Sequence, residues 1–467
     1  METTVRTDEE LQEILRSVKR VHFVGIGGSG MSPLAEILHT RGYRITGSDV
    51  NPSDNVDRMT GLGIPVAMHQ GAENIGDAEL VVYTSAVNPQ NPELEEARRR
   101  GIPLIERGKL LGLISRHYKN AVGVAGTHGK TTTTSMLAQI LLQAGQDPTV
   151  FIGGRLPLIH ANGRAGSSDT FVCEACEFQD HYLSMTPAVS VILNVDADHL
   201  DYFGTLENVI ASFHTFAGLA SRAVIVNHDD ANARKAAEGI PKEKLIWYGT
   251  GTGLAWSARN CRLEDGSYGA YDLYHNGEFF ASLKLGVPGA HNISNSMAAA
   301  AAAHLCGASA EQIADGLRSF RGAGRRFEFL GTFGGVTIAD DYAHHPTEIA
   351  ATLGAAKGMG HREVWAVFQP FTFSRTARHL DGFVQSLSAA DHVIVSDIMG
   401  SREENTWGVS SRQITEKIPG ALYLPTFPEI AAYVASHAQE GDLVLTMGGG
   451  DVYKCARMIA GKLGPKE

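Results

Sequence analysis

Apolar and polar positions follow two different patterns along most of this chain. Short runs rich in Val and Ile, such as the one that begins at Val21 and the one that begins at Ala121, have the length of buried β-strands. Between them lie longer stretches in which apolar residues recur with helical spacing. Because strands that alternate with helices form parallel sheets with helices on their faces, the pattern predicts an α/β fold.

Breaks in this pattern predict three domains. Their expected boundaries are residues 1–118, 119–325 and 326–467. The first domain begins with a helix for which Thr7 and Glu10 predict a capping box, and it ends in a polar stretch. The second contains a glycine-rich, aromatic stretch near residues 249–285, which predicts a small β excursion before an Ala-rich helix at 292–305. In the third, strands and helices alternate again.

The composition narrows the classes of function. The chain has 467 residues, enough for two or three cores, and its 51 acidic and 40 basic residues give a formal net charge of −11. No block of Lys and Arg stands out, so neither nucleic acid nor a membrane is an expected partner. The charged N-terminus and the lack of a long apolar run predict a cytoplasmic protein. Five cysteines fit reduced thiols, and the isolated pair Cys173 and Cys176 is assigned no role.

A glycine-rich loop follows the first predicted strand. Gly25, Gly27 and Gly30 have the G-x-G-x-x-G spacing that brings backbone amides close to a diphosphate at a helix N-terminus. With Asp49 near the usual distance for a ribose-binding acid, the motif would suit an NAD(P)-dependent oxidoreductase. The spacing alone does not choose NAD, because every nucleotide diphosphate needs the same close approach of the backbone.

The strongest local signal is a second loop, GTHGKT, between a predicted strand and a predicted helix. Its N–H groups would cradle phosphate oxygens, Lys130 would add a positive charge at the β- and γ-phosphates, and the Thr131 hydroxyl would bind Mg²⁺. The general phosphate-loop pattern is not met, because Val124 stands where that pattern has its first glycine. An oxidoreductase would leave this second loop unexplained, and a nucleotide-driven switch or motor would leave the first loop unexplained.

Acidic and imidazole groups follow two later strands of the second domain. Glu174 comes after one Val-rich strand and, with Thr131, offers the oxygen ligands that Mg²⁺ prefers. His199 comes after another such strand and could hold a second ion or a phosphate, although imidazole is a less usual ligand of Mg²⁺. The phosphate loop that precedes these residues in the same domain supports their assignment as candidate ligands.

Two further clusters lie at predicted helix starts. His291, Asn292 and Asn295 could read an adenine edge, or Asn292 could simply cap the helix. In the third domain, a group of Arg, His and acidic residues could clamp carboxylate or phosphoryl oxygens, or it could mark the entry to a helix. This group is Arg325, Arg326, Asp341, Tyr342, His344, His345 and Arg375.

Four motifs make the chain resemble the Mur ligase family, the ATP-dependent amide-forming enzymes of bacterial cell-wall synthesis, over essentially its whole length. They are G-T-x-G-K-[ST]-T at 126–132, N-x-x-x-D-H-L-D at 194–201, H-N-x-x-N at 291–295 and R-R-F at 325–327. The first is the family's own form of the phosphate loop, which explains why the general pattern fails. The resemblance implies ligation through an acyl phosphate, with ATP and Mg²⁺ as cofactors and with domain closure during the cycle.

Within the family, the stretches GIGGSGMSPLAEIL, SAVNPQNPE and DDYAHHPTE look most like the member that joins L-alanine to the lactyl carboxylate of UDP-N-acetylmuramate in peptidoglycan precursor synthesis. The nearest alternative is the recycling member that attaches a tripeptide to the same sugar nucleotide. The resemblance implies a Rossmann-like UDP-sugar domain, a central P-loop ATPase-like domain with a parallel sheet and a small β excursion, and a C-terminal Rossmann-like domain. We expect a monomer or a dimer.

The resemblance also implies roles for individual residues. The expected catalytic residues are Lys130, Glu174, His199, Arg326, His344 and Arg375, and the expected metal ligands are Thr131, Glu174 and His199. The expected ATP contacts are Gly126, Thr127, Gly129, Lys130, Thr131, Thr132, His291, Asn292, Asn295 and Asp341. The expected contacts of the sugar nucleotide and the amino acid are Gly27, Gly28, Ser29, Asp49, His69, Ser85, Tyr342 and His344.

Two positions depart from the family pattern. Several members carry a lysine fifteen residues after the histidine of D-H-L-D, modified to a carbamate that helps to hold a metal, whereas this chain has His214. We therefore expect no carbamylated lysine. Members that add alanine often read Q-P-H before an S/T-R-T segment, whereas this chain has Phe371 in place of the histidine. His344 or Arg375 is expected to supply the missing function.

Overall fold

The computed structural model describes residues 7–84, 87–401 and 403–465. The chain forms two units. One takes its described residues from Met1–Arg259, Leu273–Ala281 and Asn295–Leu317, and the other takes them from Asn260–Asp272, Ser282–Ser294 and Arg318–Glu467. None of the described helices has the length and apolar character needed to cross a membrane.

The N-terminal sheet carries the first glycine loop. Its strands are β1 (Arg20–Val24), β2 (Arg44–Ser48), β3 (Val66–Ala67), β4 (Leu80–Tyr83) and β5 (Leu104–Glu106). Its helices are α1 (Asp8–Ser17), α2 (Ser32–Thr40), α3 (Asp54–Gly61), α4 (Pro92–Arg100) and α5 (Arg107–Ser115), with a 3₁₀ turn at Ala72–Ile75. The strands are parallel in the order β3-β2-β1-β4-β5, so the first glycine loop leaves the central strand. The predicted capping box of Thr7 and Glu10 is present at the start of α1.

The central sheet has ten strands. They are β6 (Asn120–Ala125), β7 (Thr149–Leu156), β8 (Ala161–Arg164), β9 (Thr170–Glu174), β10 (Val189–Ile192), β11 (Ala223–Asn227), β12 (Leu245–Gly249), β13 (Trp256–Glu264), β14 (Tyr268–His275) and β15 (Glu278–Pro288). The accompanying helices are α6 (Lys130–Gln143), α7 (Leu200–Phe203), α8 (Leu206–Gly218), α9 (Ala231–Ala236), α10 (His291–Leu305) and α11 (Ala310–Ser319), and 3₁₀ turns lie at Pro157–Ile159, Phe178–Ser184 and Lys242–Lys244. The strand order is β15-β14-β13-β12-β11-β10-β6-β9-β7-β8.

The pairing of β6 positions the chemistry of this sheet. β6 is parallel to β9 on one side and to β10 on the other. Because the carboxyl ends of parallel strands meet at one edge of a sheet, the segments that follow β6, β9 and β10 lie side by side. The predicted β excursion corresponds to β13, β14 and β15, which extend the other end of the sheet order.

The C-terminal sheet has six strands. They are β16 (Glu328–Phe333), β17 (Val336–Asp341), β18 (Val364–Phe368), β19 (His392–Val395), β20 (Leu422–Tyr423) and β21 (Leu443–Met447). Its helices are α12 (Pro346–Gly358), α13 (Phe373–Arg378), α14 (Leu380–Leu387), α15 (Arg412–Thr415), α16 (Phe427–His437) and α17 (Tyr453–Leu463). The order is β16-β17-β21-β18-β19-β20, and β16 alone runs antiparallel to its neighbour.

The three sheets confirm the predicted α/β class. In the central and C-terminal sheets, the inner strands β6, β10, β18 and β21 are almost entirely buried and consist mainly of Val, Ile, Leu and Ala, as expected of parallel strands covered by helices on both faces. The exact boundaries at residues 118 and 325 stay predictions.

Candidate functional site

The second loop joins β6 to α6 and is shaped by glycine. Gly129, directly before the helix, has a φ of +84°, a left-handed conformation that glycine adopts without strain. A Cβ at this position would lie 2.5 Å from Oδ1 of Asn295. The Asn295 side chain therefore packs directly against the loop. N–H groups in the first turn of a helix have no partner within the helix, and they suit a phosphate.

Lys130 is enclosed by the loop and by a buried carboxylate. Its Nζ donates to the carbonyl oxygens of Gly126 and Thr127, and it lies 2.9 Å from both carboxylate oxygens of Glu177. Glu177 is 2% exposed. Burial disfavours the charged amine, but the Glu177 carboxylate outweighs this effect and raises the pKa of Lys130. Lys130 thus stays charged in the loop.

Asn194, which lies in the segment after β10, is hydrogen-bonded to the second loop. Its backbone carbonyl accepts the Thr127 N–H, its Oδ1 accepts the His128 N–H at 2.8 Å, and its Nδ2 donates to the His128 carbonyl at 3.0 Å. The Asp196 N–H donates to the Thr127 hydroxyl at 2.9 Å. The segment that carries the D-H-L-D motif is therefore bonded to the phosphate loop.

Glu174 ends β9 beside the same loop. Its Oε2 accepts the Gly153 N–H at 2.7 Å. A Cβ on Gly153 would lie 2.7 Å from each oxygen of this carboxylate, so only glycine leaves room for it. Thr131, in the first turn of α6, is buried.

His199 and His214 have different surroundings. His199 directly precedes α7 with a φ of +52°, its Nε2 lies 3.8 Å from Oδ2 of Asp198, and its ring packs edge-on to Phe178 at a centroid distance of 5.1 Å. His214 is exposed on α8, and its Nδ1 lies 3.0 Å from the carbonyl oxygen of Ala236. His199 is thus fixed by its neighbours, whereas His214 is bonded toward α9.

The first loop is held by the end of β2. The Gly25 N–H donates to the carbonyl oxygen of Ser48 at 2.8 Å. The Gly27 N–H donates to Oδ2 of Asp49 at 2.9 Å. A Cβ on Gly27 would lie 2.9 Å from the same Oδ2, so this position has no space for a side chain. Asp49 therefore orients the loop through a backbone amide.

Sequence analysis missed two residues that contact the first loop. Arg107 begins α5, and a Cβ on Gly30 would lie 2.9 Å from Cδ and 3.0 Å from Nη1 of this arginine. The Asn162 side chain of β8 donates to the carbonyl oxygen of Ser29. Both contacts join separate elements, so nothing in the local sequence indicates them.

The other predicted contacts of the first domain have different positions. His69 is exposed, and its Nε2 lies 3.0 Å from Oε1 of Glu73. Gly28 donates its N–H to the Gly25 carbonyl within the loop. Ser85 lies outside the described residues.

Arg325 is hydrogen-bonded to the edge of the C-terminal sheet. Its Nε donates to Oδ2 of Asp340 at 2.9 Å, and its two terminal nitrogens donate to the carbonyl oxygens of Gly448 and Gly450 at 2.7 Å. Its guanidinium also lies 4.9 Å from the centroid of the Tyr342 ring. Through these contacts, Arg325 holds the loop that follows β21.

Asp341 is the buried acid at the end of β17. Its carboxylate accepts the N–H groups of Phe327 and Ala343 at 2.7 and 2.6 Å. Burial raises its pKa to about 6, although the positive charge of Arg326 opposes the shift. The Arg326 guanidinium lies 5.1 Å from the centroid of the Tyr342 ring.

The adjacent histidines have different roles. His345 precedes α12 and forms a capping box with Glu348, so the helix-entry interpretation is confirmed for His345. The Nδ1 of His344 lies 2.9 Å from the carbonyl oxygen of Tyr342, and its ring centroid lies 6.3 Å from that of Phe371. Phe371 stands where the family pattern has a histidine. It therefore lies next to His344, which is one of the two residues expected to supply the function of that missing histidine.

Asn292 and Arg375 also belong to the predicted set. Asn292 lies in the first turn of α10, and its Nδ2 donates to the carbonyl oxygen of Pro288 at 2.6 Å. Arg375 is half-buried on α13, and its backbone N–H donates to the Thr372 hydroxyl at 3.4 Å.

Comparison with known proteins gives matches along most of the chain. Residues 20–119 match the Mur ligase family catalytic domain, residues 124–303 the Mur ligase middle domain, and residues 325–450 the Mur ligase glutamate ligase domain. The chain belongs to the Mur ligase family.

Two similar sequences are ligases of the same name. The UDP-N-acetylmuramate–L-alanine ligase of Caldanaerobacter subterraneus is 44% identical over 446 residues, which cover 94% of this Mur ligase and 97% of that protein. The ligase of the same name from Acetivibrio thermocellus is 42% identical over 447 residues, with coverage of 94% and 95%. The predicted family and the predicted ligase class are confirmed.

Solved structures agree with these sequence matches. The UDP-N-acetylmuramate–alanine ligase of Thermotoga maritima has a TM-score of 0.82 to this Mur ligase at 27% identity and covers 95% of it, with 98% of that chain matched. A murein peptide ligase from Psychrobacter arcticus has a TM-score of 0.73 at 25% identity, with coverage of 96% and 100%. Neither the oxidoreductase nor the nucleotide-driven switch is favoured by these matches.

The second loop is surrounded by both expected and unexpected residues. In this Mur ligase, the second loop gathers Lys130, Thr131 and Glu174 as expected for one sheet edge. Glu177 and Asn194, which contact Lys130 and the loop, were missed as functional candidates. Asn194 is the first residue of the motif at 194–201, which marks it as a candidate, whereas Glu177 lies outside the four motifs.

Proposed function

We propose that this Mur ligase joins L-alanine to the lactyl carboxylate of UDP-N-acetylmuramate, consuming ATP and releasing ADP and phosphate. Two observations support the proposal. The chain has two separate glycine loops, and only the second leads into a lysine. The chain is also similar along nearly its full length to UDP-N-acetylmuramate–L-alanine ligases. One loop would then serve the sugar nucleotide and the other would serve ATP.

The reaction needs an activated carboxyl group, because direct condensation of a carboxylate with an amine is uphill in water. A lactyl carboxylate oxygen would attack the γ-phosphorus of ATP, and the bond from that phosphorus to the ADP oxygen would break. The alanine amine would then attack the carbonyl carbon of the acyl phosphate, lose a proton and expel phosphate. The protein contributes chiefly positioning and neutralisation of charge.

Lys130 is the proposed electrostatic centre of the phosphoryl transfer. It stays charged beside Glu177, and it is held by the carbonyl oxygens of the same loop that offers N–H groups to phosphate. In a site shielded from water, a fixed positive charge next to the transferring group lowers the barrier strongly. Asn295, which packs against Gly129, is a proposed contact of the nucleotide at this loop.

The residues near the second loop fit Mg²⁺. Thr131 supplies a hydroxyl and Glu174 supplies a carboxylate, and both groups offer the hard oxygen ligands that this ion prefers. Because residue 153 is a glycine, no Cβ crowds the Glu174 carboxylate. When bound, Mg²⁺ would neutralise charge on the phosphate oxygens. His199 is proposed as a ligand of a second ion.

The first loop is proposed to bind the diphosphate of the UDP moiety. Gly27, Gly28 and Ser29 bring backbone close to it, and Arg107 adds a positive charge next to Gly30. His69 is a proposed contact on the neighbouring segment. Asp49 is proposed to act by orienting the loop, because its carboxylate accepts the Gly27 N–H.

The third domain is proposed to bind the amino acid. Arg326, His344 and Arg375 carry the positive charge or hydrogen-bond donors that a carboxylate or a phosphoryl group requires. Asp341 and Tyr342 lie next to Arg326 and are proposed as nucleotide and substrate contacts respectively.

An oxygen-18 experiment tests this mechanism. UDP-N-acetylmuramate labelled in the lactyl carboxylate is incubated with ATP, Mg²⁺ and L-alanine, and the products are analysed by mass spectrometry. We expect the alanyl product and one labelled oxygen in the released phosphate. Unlabelled phosphate would contradict the acyl phosphate, and the absence of an alanyl product would contradict L-alanine as the substrate.

A further inference from the structure

A buried carboxylate lies beneath the first loop. Glu93, in the first turn of α4, is 0% exposed, and Asn91 caps this helix. The Glu93 Oε2 accepts the Ser48 hydroxyl at 2.6 Å, and its Oε1 accepts Nδ2 of Asn74 at 2.6 Å. His22 of β1 is 1% exposed, with its Nε2 3.8 Å from the same Oε2. Burying a carboxylate is costly unless it is hydrogen-bonded, and here both oxygens are.

The two hydrogen-bond partners of Glu93 lead to two different segments. The carbonyl oxygen of Ser48 accepts the N–H groups of Gly25 and Ile26 at 2.8 and 3.0 Å, so Ser48 holds the start of the first loop. The Nδ2 of Asn74 also donates to the carbonyl oxygen of His69 at 2.9 Å. Glu93 is therefore the common point between the loop and the segment of His69.

We propose that Glu93 is a positioning residue for the sugar nucleotide, fixing the first loop relative to the segment of His69 without touching the ligand. This inference rests on the proposed function, which assigns both segments to UDP-N-acetylmuramate. Glu93 itself is fully buried, and both of its oxygens are engaged within the protein. Its effect on the ligand is thus transmitted through Ser48 and Asn74.

The network requires the ionised form of Glu93. Burial raises the pKa of Glu93, but the interactions with His22, Ser48 and Asn74 outweigh burial and lower that pKa below its ordinary value. A carboxylate accepts hydrogen bonds with both oxygens, whereas a glutamine amide accepts with one oxygen and donates with its nitrogen. Glu93→Gln therefore keeps the size of the side chain and removes its charge, and its Nε2 either opposes the Asn74 donor or forces the Ser48 hydroxyl to accept instead of donate.

The test is a comparison of Michaelis constants in the full chain. For Glu93→Gln, we expect the KM for UDP-N-acetylmuramate to rise about tenfold, because small displacements of binding groups have effects of at least this size. The kcat and the KM for ATP should stay within about twofold, since the second loop is unchanged. Titration calorimetry with UDP-N-acetylmuramate alone should give the same loss of affinity.

Two further variants separate positioning from stability. Glu36→Gln removes another buried carboxylate of the same domain, which pairs with Arg58 at 2.8 and 2.9 Å and has no described bond to the loop. It should lower the melting temperature and leave the KM unchanged. Asn74→Ala removes only the branch to His69 at a half-buried position, so it remains informative if Glu93→Gln fails to fold. It should raise the KM for the sugar nucleotide, and the double variant should raise it by less than the product of the two single effects.

The outcomes distinguish the two proposals. A lowered melting temperature with unchanged KM in Glu93→Gln, or in Asn74→Ala if the first variant does not fold, would make the network purely structural and overturn the inference. A KM for ATP that rises as much as the KM for the sugar nucleotide would overturn it as well. If the wild-type chain forms no product from UDP-N-acetylmuramate, the proposed function itself fails.

Discussion

The two glycine loops of this Mur ligase share a shape and differ in charge. Each follows an inner strand of a parallel sheet, β1 or β6, and each leads into a helix. The first loop contains no lysine, and the acceptors that hold it are the Ser48 carbonyl and the Asp49 carboxylate. The second leads into Lys130, which is paired with the buried Glu177. The shape allows a phosphate to approach, and the charge determines whether that phosphate can be transferred.

The largest expected effect comes from removing the charge of the second loop. Lys130→Ala should lower kcat by about a thousandfold, because one lost electrostatic contact to a transition state has an effect of this order. Binding of UDP-N-acetylmuramate should be unchanged, since the first loop is untouched. Steady-state kinetics and titration calorimetry measure the two quantities.

A matched control for this variant is Lys119→Ala. Lys119 is an exposed lysine that pairs with Asp169 at 3.1 Å, and its replacement should change neither quantity. If affinity for the sugar nucleotide fell together with turnover in Lys130→Ala, the division between the two loops would be wrong.

A smaller loss is expected from the proposed metal ligand beside the second loop. Glu174→Gln keeps an acceptor for the Gly153 N–H and removes the negative charge. We expect kcat to fall by about a hundredfold and the Mg²⁺ concentration for half-maximal activity to rise. A magnesium titration of both proteins checks this, and identical titration curves would exclude Glu174 as a ligand.

The shape of the first loop can be changed without changing its charge. In Gly27→Ala, the added Cβ would lie 2.7 Å from Cγ2 of Val56 and 2.9 Å from Oδ2 of Asp49, so the loop must shift. The KM for UDP-N-acetylmuramate should rise about tenfold and the KM for ATP should not change. Gly61→Ala is the control, because a Cβ there meets no atom within 4 Å. Equal changes in both constants would argue against a separate sugar-nucleotide loop.

An effect on stability and not on kinetics is expected outside both loops, at the buried carboxyl group of Asp341 in the third domain. Burial raises the pKa of Asp341 from 3.8 to about 6, so between these pH values the folded protein holds a proton that the unfolded chain has lost. The free energy of unfolding should therefore fall as the pH rises through this range, by up to about 3 kcal/mol. Asp341→Asn lacks this contribution.

The melting temperatures of both proteins at about pH 4.5 and about pH 7 test this expectation. The wild type should lose stability relative to Asp341→Asn as the pH rises. Parallel changes in the two proteins would show that Asp341 does not titrate in this range.

Local patterns were sufficient to predict both loops. In each case the strand, the glycines and the helix are contiguous in sequence, and the backbone geometry follows from their order. The same holds for the capping box of α1, whose residues are three positions apart, and for the helix entry at His345. The α/β class follows from the alternation of the elements.

Contacts between distant elements were not predictable from one sequence. No pattern indicates that Glu177 faces Lys130, that Asn194 holds the Thr127 N–H, or that Arg107 lies over Gly30. Such contacts depend on strand order, and ten strands can be arranged in many orders. Asp49 illustrates the same limit, because its spacing suits a ligand contact and its carboxylate binds a loop amide.

The central claim is that ATP chemistry at the second loop depends on the substrate held at the first. The most direct measurement is steady-state phosphate release from ATP with UDP-N-acetylmuramate and L-alanine withheld in turn. We expect sustained release only when both substrates are present, with ADP, phosphate and alanyl product in equal amounts. Sustained release that ignores either substrate would contradict this claim.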